Sequence, residues 1–195
     1  PLEKVKEGVT AESVINNFML KSLIVNSNEE LQSKLSGIGY VETRSTSFLA
    51  QMNATLVLTT YKASPNKSAL IINTEDGKTT FQKEWFNGEK GGSYAMMQPT
   101  VELTEEEVAD KQHPNFPFSQ LHYFTNKKNH VELLGIVEMN DLKYYKIKIS
   151  EEGEEDFYFE YYNLETGLLD FSEVFKTDEE GNAVNRKMFY KDYTV

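Results

Sequence analysis

The three histidines are the side chains in this sequence best suited to bind a metal or to move a proton near neutral pH. They are His113, His122 and His130, and none is arranged in the H-E-x-x-H or H-x-x-E-H order that places zinc ligands on one helix. His113 precedes a proline and His130 follows two lysines and an asparagine, contexts that are typical of loops. We therefore predict no metal site and no cofactor, and we interpret His113 and His130 as exposed loop residues.

Signatures of nucleophilic catalysis are also missing from the sequence. There is no cysteine, which excludes disulfides, thiolate metal ligands and cysteine nucleophiles. Residues 91–94 read G-G-S-Y, which is not the G-x-S-x-G turn of a serine hydrolase. Carboxylates are abundant, with 31 Asp and Glu residues, but an acid–base pair is recognised by its separation in space. We predict no catalytic residue, and a hydrolase with an unrecognised carboxylate site stays open as an alternative.

Composition and charge narrow the class of protein and of partner. The chain has 195 residues, of which 39% are hydrophobic and 26% charged, as expected of one globular domain with a core of its own. Its formal net charge of -11 repels phosphate backbones, so we predict no nucleic-acid partner. No apolar run approaches the ~20 residues that cross a bilayer, so we predict no transmembrane segment. Because the chain begins without Met and ends in a strand-like stretch, we predict that it is excised from a longer protein.

Two helices are predicted before the first strand. Thr10 is suited to cap a helix that runs to about Lys21, because Val14, Ile15, Phe18 and Met19 fall on one side of it. A second short helix is predicted to begin at Asn28 as its cap and to end near Gly37, with acidic residues in its first turn.

From residue 38 onward the apolar pattern alternates with a period of two. Turn signals at residues 64–66, 76–77, 152–153, 165–167 and 180–181 separate the runs, and outside residues 98–124 no helical pattern lies between consecutive strands. The pattern predicts an α+β fold with a large antiparallel sheet of about nine to eleven strands that must curve, close or fold over. Thr104 and Glu107 have capping-box spacing, which predicts a helical lid insertion at about residues 98–124. With no linker visible, we predict a single domain over residues 1–195.

Bulky apolar residues are concentrated around this insertion. They could line a ligand cavity, or they could be ordinary core residues beneath a lid helix. From the alternation we predict the cavity lining to be Leu56, Leu58, Ile71, Trp85, Phe86, Met96, Met97, Phe116, Phe118 and Leu121. A lining of Leu, Met and Phe favours lipid binding, whereas buried acidic residues with raised pKa values would favour catalysis.

Three stretches carry a family resemblance. They read G-V-T-A-E-S-V-I-N-N-F at residues 8–18, W-F-N-G-E-K-G at residues 85–91 and Y-Y-N-L-E-T-G-L-L at residues 161–169. Together with the order of elements they resemble the LolA/LolB-like outer-membrane lipoprotein-sorting proteins of Bacteroidota. The resemblance implies an unclosed β-barrel with a helical lid, located in the periplasm or cell envelope. It also implies a non-enzymatic apolar cavity that receives an acyl chain, a lipid or a lipoprotein.

One departure and one alternative accompany this resemblance. Many relatives read Ile-Gly-Gly after the first helix, where this chain has V-N-S-N at residues 25–28. Similar domains also follow pitrilysin/insulinase-type zinc peptidases, so the alternative is an accessory, non-catalytic C-terminal domain of such an envelope peptidase. In both cases the chain itself is expected to bind rather than to catalyse.

Overall fold

The computed structural model describes residues 2–49, 53–112, 116–177, 183–190 and 193. These residues form two compact units: a terminal unit made of Pro1–Ser36 and His122–Val195, and an inserted unit made of Gly37–Leu121. Within the described residues, no helix is both long enough and apolar enough to cross a membrane.

The helices and strands follow one another in an order close to the prediction. The helices are α1 (Ala11–Ser22), α2 (Asn28–Gly37) and α3 (Glu105–Asp110), with a short 3₁₀ helix at Ser119–His122. The strands are β1 (Tyr40–Leu49), β2 (Ala54–Ala63), β3 (Lys67–Thr74), β4 (Thr80–Phe86), β5 (Gly91–Ala95), β6 (Val101–Glu102), β7 (Asn129–Met139), β8 (Leu142–Glu151), β9 (Phe157–Asn163), β10 (Leu169–Thr177) and β11 (Ala183–Phe189).

Every strand pair is antiparallel. In the inserted unit, β1 to β6 form a six-stranded sheet in chain order, and in the terminal unit the order is β11-β10-β9-β8-β7. Each strand therefore pairs with its neighbour in the chain, as short turns between antiparallel strands require. The predicted α+β fold, the antiparallel pairing and the number of strands are confirmed.

Helix α1 forms where its cap and its apolar spacing predict it. The backbone N–H of Ser13 donates to the Thr10 hydroxyl at 3.1 Å, and the N–H of Thr10 donates to the Ser13 hydroxyl at 3.0 Å. This capping box satisfies two backbone donors that the first turn leaves without helical partners. Ile15 and Phe18 are 3% exposed, so the predicted apolar side of α1 is its buried side.

Helix α2 is capped one residue earlier than predicted. The hydroxyl of Ser27 accepts a hydrogen bond from the Glu30 N–H at 3.2 Å, and the Glu30 carboxylate accepts one from the Asn26 N–H at 2.8 Å. Asn28 is instead the first residue of the helix, so the prediction of Asn28 as cap was wrong. The serine and the glutamate three residues later are the pattern that signals a capping box, and they decide the start of the helix.

The terminal unit buries side chains on both faces of its five-stranded sheet: α1 packs on one face, and the other face carries a cluster formed by Tyr144, Tyr161 and Phe171. Tyr162 and Ile147 are 1% and 0% exposed, and the Phe18 ring of α1 meets the Tyr162 ring edge to face at a centroid distance of 5.4 Å. The β9–β10 turn comes close to α1 because Gly167 lacks a side chain. A Cβ there would lie 2.4 Å from the Asn17 side-chain nitrogen, and the Gly167 φ of +75° disfavours other residues as well. The third resembling motif therefore contains a glycine that its packing requires.

The lid insertion and the last strand differ from their predictions. Residues 98–124 contain β6 as well as α3 and the 3₁₀ helix, so the insertion begins as a strand paired with β5. Residues 113–115 of the insertion lie outside the described residues. Alternation over residues 184–193 predicts a last strand, but β11 ends at Phe189, and residues 191 and 192 lie outside the described residues.

Candidate functional site

One face of the inserted sheet collects aliphatic side chains from neighbouring strands. In the antiparallel register Leu58 lies opposite Ile72, Thr60 lies opposite Leu70, and Ser68 lies opposite Phe86. Directly paired residues share a face, and residues two apart on one strand do so as well. This surface, here named the aliphatic face, is defined by four aliphatic residues and one aromatic residue: Leu56, Leu58, Leu70, Ile72 and Phe86.

Only part of the aliphatic face is buried. Leu56 and Phe86 are 8% and 2% exposed, whereas Leu58, Leu70 and Ile72 are only partly covered. Three adjacent aliphatic side chains on β2 and β3 thus keep apolar surface in contact with solvent. Apolar side chains grouped in this way add favourable contact area when an apolar molecule lies over them.

The segment that carries α3 is tethered at one end of this sheet. Its N-terminal part is fixed at Leu103, whose N–H donates to the Gly91 carbonyl at 3.0 Å. A Cβ on Gly91 would lie 2.5 Å from the Leu103 side chain, so the leucine packs directly on the glycine backbone.

The C-terminal part of the same segment is held by polar contacts. The Lys111 ammonium forms an ion pair with Glu84 of β4. The Gln112 side chain donates to the Gly88 carbonyl at 3.2 Å and accepts a hydrogen bond from the Asn66 amide at 2.8 Å. The α3 segment is thus fastened at both of its ends to the β2–β3 and β4–β5 end of the sheet.

The opposite side of the inserted sheet, here named the reverse face, carries Trp85. Trp85 pairs with Gly92, and a Cβ on Gly92 would lie 2.6 Å from the indole ring. The glycine therefore allows the indole to lie flat against the backbone of β5. Ile71 and Lys83 occupy this same face.

The predicted lining residues do not all share one face. Leu56, Leu58 and Phe86 belong to the aliphatic face, whereas Ile71 and Trp85 belong to the reverse face. The strand pairing adds Leu70 and Ile72, which the sequence prediction omitted. Both omissions have one cause, because residues 70–72 are three consecutive apolar residues and an alternation cannot assign such a run to a face.

The remaining predicted lining residues follow β5 or lie in the insertion. Met96 and Met97 are 40% and 94% exposed, and Met97 has a positive φ of 67° in the turn after β5. Phe116, Phe118 and Leu121 are each partly buried. Met97 therefore projects into solvent instead of lining the aliphatic face.

The terminal unit contains a buried carboxylate. Glu160 of β9 is 4% exposed, and its two carboxylate oxygens accept hydrogen bonds from the hydroxyls of Tyr123 at 2.8 Å and Tyr162 at 2.5 Å. Burial, and then the negative charge of Glu160, raise the pKa of Tyr123. Among the described residues Glu160 is the one buried acidic side chain, and its hydrogen bond with Tyr123 ties the end of the lid insertion to β9.

A cavity of about 410 Å³ opens on the other face of the five-stranded sheet. Aromatic rings and charged groups both contribute to its wall, among them Phe171, Phe189, Asp170 and Lys187. The Lys187 ammonium lies 4.0 Å from the centre of the Phe171 ring, a cation–π contact. None of the predicted lining residues contributes to this cavity.

The histidines do not come together. His122 ends the 3₁₀ helix and is partly buried. His130 is exposed, as predicted, but it belongs to strand β7, so the prediction that it lies in a loop was wrong. His113 lies outside the described residues. Over the part of the chain that the structure describes, no group of three or more His, Cys, Asp or Glu side chains could hold a metal ion.

Comparison with known proteins gives distant structural likenesses. No protein-family model matches the sequence, and no curated protein matches it either. A LolA superfamily protein from Nitrosomonas europaea matches at 12% identity and a TM-score of 0.45, covering 90% of this chain and 75% of that one. A DUF1329 family protein from Desulfovibrio piger matches at 10% identity and a TM-score of 0.44, covering 90% and 78%.

A third likeness is to a chain of the MucA/MucB complex of Pseudomonas aeruginosa. It has 11% identity and a TM-score of 0.36, and the match covers 92% of this chain but 55% of that one. The LolA superfamily is the family that the sequence motifs resemble. At these levels of similarity the likenesses assign neither a family nor a function to the chain.

Proposed function

We propose that this protein binds the apolar chain of a lipid or lipoprotein on the aliphatic face of its inserted unit and has no catalytic role. The observation that carries the proposal is the group of partly covered side chains Leu58, Leu70 and Ile72. The segment with α3, fastened at the end of the same sheet, borders this surface. The motifs that resemble lipoprotein-sorting proteins support the same function.

The energetics suit an acyl chain. Each CH₂ group transferred from water to an apolar contact contributes about 0.8 kcal/mol, so a medium-length chain gains affinity without directional polar contacts. Part of this gain offsets the lost freedom of the ligand. We therefore expect dissociation constants on the order of micromolar, which correspond to roughly 8 kcal/mol.

Neighbouring residues on β3 provide the test. Ile72→Glu places a charge on the aliphatic face, whereas Ile71→Glu makes the same change on the reverse face of the same strand. Binding is measured by the fluorescence of dansyl-labelled dodecanoic acid, with unlabelled phosphatidylglycerol as competitor. We expect Ile72→Glu to weaken binding at least ~10-fold, because about 1.5–3 kcal/mol of apolar contact is at stake. Ile71→Glu should stay within about twofold of wild type, since it leaves the contact surface unchanged.

Two results would contradict the proposal. One is a wild-type protein that binds neither the labelled acid nor the phospholipid; the other is an equal loss of binding in both variants. Circular dichroism and urea unfolding of both variants establish that the sheet is intact. The envelope location, the Bacteroidota origin and the role as an accessory domain of a zinc peptidase stay predictions from the sequence resemblance.

A further inference from the structure

A lysine shares the aliphatic face with the partly covered leucines and isoleucine. Lys62 of β2 lies opposite Val41 of β1 and Ser68 of β3. It is four residues from Leu58 on the same strand, which places it on the same face at about 13 Å. Its side chain is partly buried, and burial lowers the pKa of its ammonium group.

The charged side chains that the structure describes leave Lys62 without a counter-ion. Glu84, which also lies on the aliphatic face, is already paired with Lys111. Within the described ranges, no carboxylate lies at ion-pair distance from Lys62, and no hydrogen bond from its ammonium is present. A partly desolvated ammonium group gains from an anion that approaches it.

We propose that the Lys62 ammonium binds the negatively charged head group of a single-chain amphiphile whose apolar tail lies along Leu58, Leu70 and Ile72. A fatty acid is the simplest such ligand, because one carboxylate matches one lysine. The inference rests on the proposed function, since it takes the aliphatic face as the site of the tail. It adds an orientation of the bound amphiphile, with its head group at the Lys62 end of β2 and its tail pointing toward Leu56.

The test compares two ligands that differ only in the head group. Binding of dodecanoate and of dodecanol to the full chain is measured by isothermal titration calorimetry at neutral pH. We expect wild type to bind dodecanoate at least ~10-fold more tightly than dodecanol, as a partly buried ion pair allows. Lys62→Met keeps the apolar stem of the side chain and should bind both ligands with the wild-type affinity for dodecanol. Lys62→Arg should keep the preference.

Lys83→Met is the matched control, because Lys83 is an exposed lysine on the reverse face. It should keep the full preference for dodecanoate. Equal binding of dodecanoate and dodecanol by wild type would overturn the head-group assignment. A preference for dodecanoate that persists in Lys62→Met would overturn it as well. Neither result would contradict the proposed site for the tail. If wild type binds neither ligand, both the head-group assignment and the proposed function are refuted.

Discussion

Replacing Tyr123 by phenylalanine removes one hydrogen-bond donor from buried Glu160 and leaves the aromatic ring in place. The hydroxyl donates to a Glu160 oxygen at 2.8 Å, and Tyr123 is itself 5% exposed. A hydrogen bond to a charged group contributes about 1.5–3 kcal/mol, and the retained ring avoids a large cavity. We expect Tyr123→Phe to lower the free energy of unfolding by about 2 kcal/mol. In a chain of this length that lowers the Tm by about 4–8 °C.

The assay is urea unfolding followed by circular dichroism, with the same substitution repeated in a Glu160→Gln background. A neutral amide accepts a weaker hydrogen bond, so the cost of Tyr123→Phe there should fall to about 1 kcal/mol or less. Tyr40→Phe serves as control, because Tyr40 is 67% exposed and its substitution should leave stability unchanged. The reasoning is refuted if Tyr123→Phe costs less than ~0.5 kcal/mol, or if its cost is the same in both backgrounds.

Three further predictions test other contacts. Gly92→Val should destabilise the protein by about 1–3 kcal/mol, because a side chain at Gly92 displaces the indole of Trp85. The fluorescence emission of Trp85, the single tryptophan, should shift as well, and unchanged emission would contradict this prediction. Phe18→Ala should cost about 3–5 kcal/mol in thermal unfolding, since the Phe18 ring is 3% exposed and meets Tyr162. Burial raises the pKa of Tyr123 above 10.0, so the contribution of Tyr123 to stability should be constant below that pH and fall above it, where the unfolded tyrosine ionises first. Tyrosinate absorbance during alkaline unfolding checks this order, and a full tyrosinate signal before unfolding would contradict it.

The parts of the fold set by local spacing could be predicted from the sequence. Helix α1 has its cap at Thr10 and an apolar period of 3.6, and both signals lie within the helix itself. Strand β9 carries aromatic residues on both of its faces, a pattern typical of a strand whose two faces are both covered, and the structure buries Tyr161 on one face and Tyr162 on the other. The structure places β9 in the middle of the five-stranded order.

Features that depend on contacts between residues far apart in the chain could not be predicted from the sequence. The face of Ile71 is decided by its register with β2 and β4, and a shift of one residue exchanges the faces. Glu160 stands out in the sequence as the single charge within an aromatic strand, which could have marked it as buried. Its donor Tyr123 lies 37 residues away in the chain, and no local pattern connects the two.

The division of the chain also sets the order in which its parts can fold. The inserted unit is one continuous stretch, whereas the terminal unit is assembled from the chain on either side of it. A ribosome therefore releases every strand of the six-stranded sheet before the first strand of the five-stranded one. Because each strand of the six-stranded sheet pairs only with its neighbours in the chain, that sheet can form early. Helix α1 is synthesised first, but its Phe18 ring is covered only after the Tyr162 ring has been synthesised. During this interval the apolar side of α1 is exposed and accessible to a chaperone.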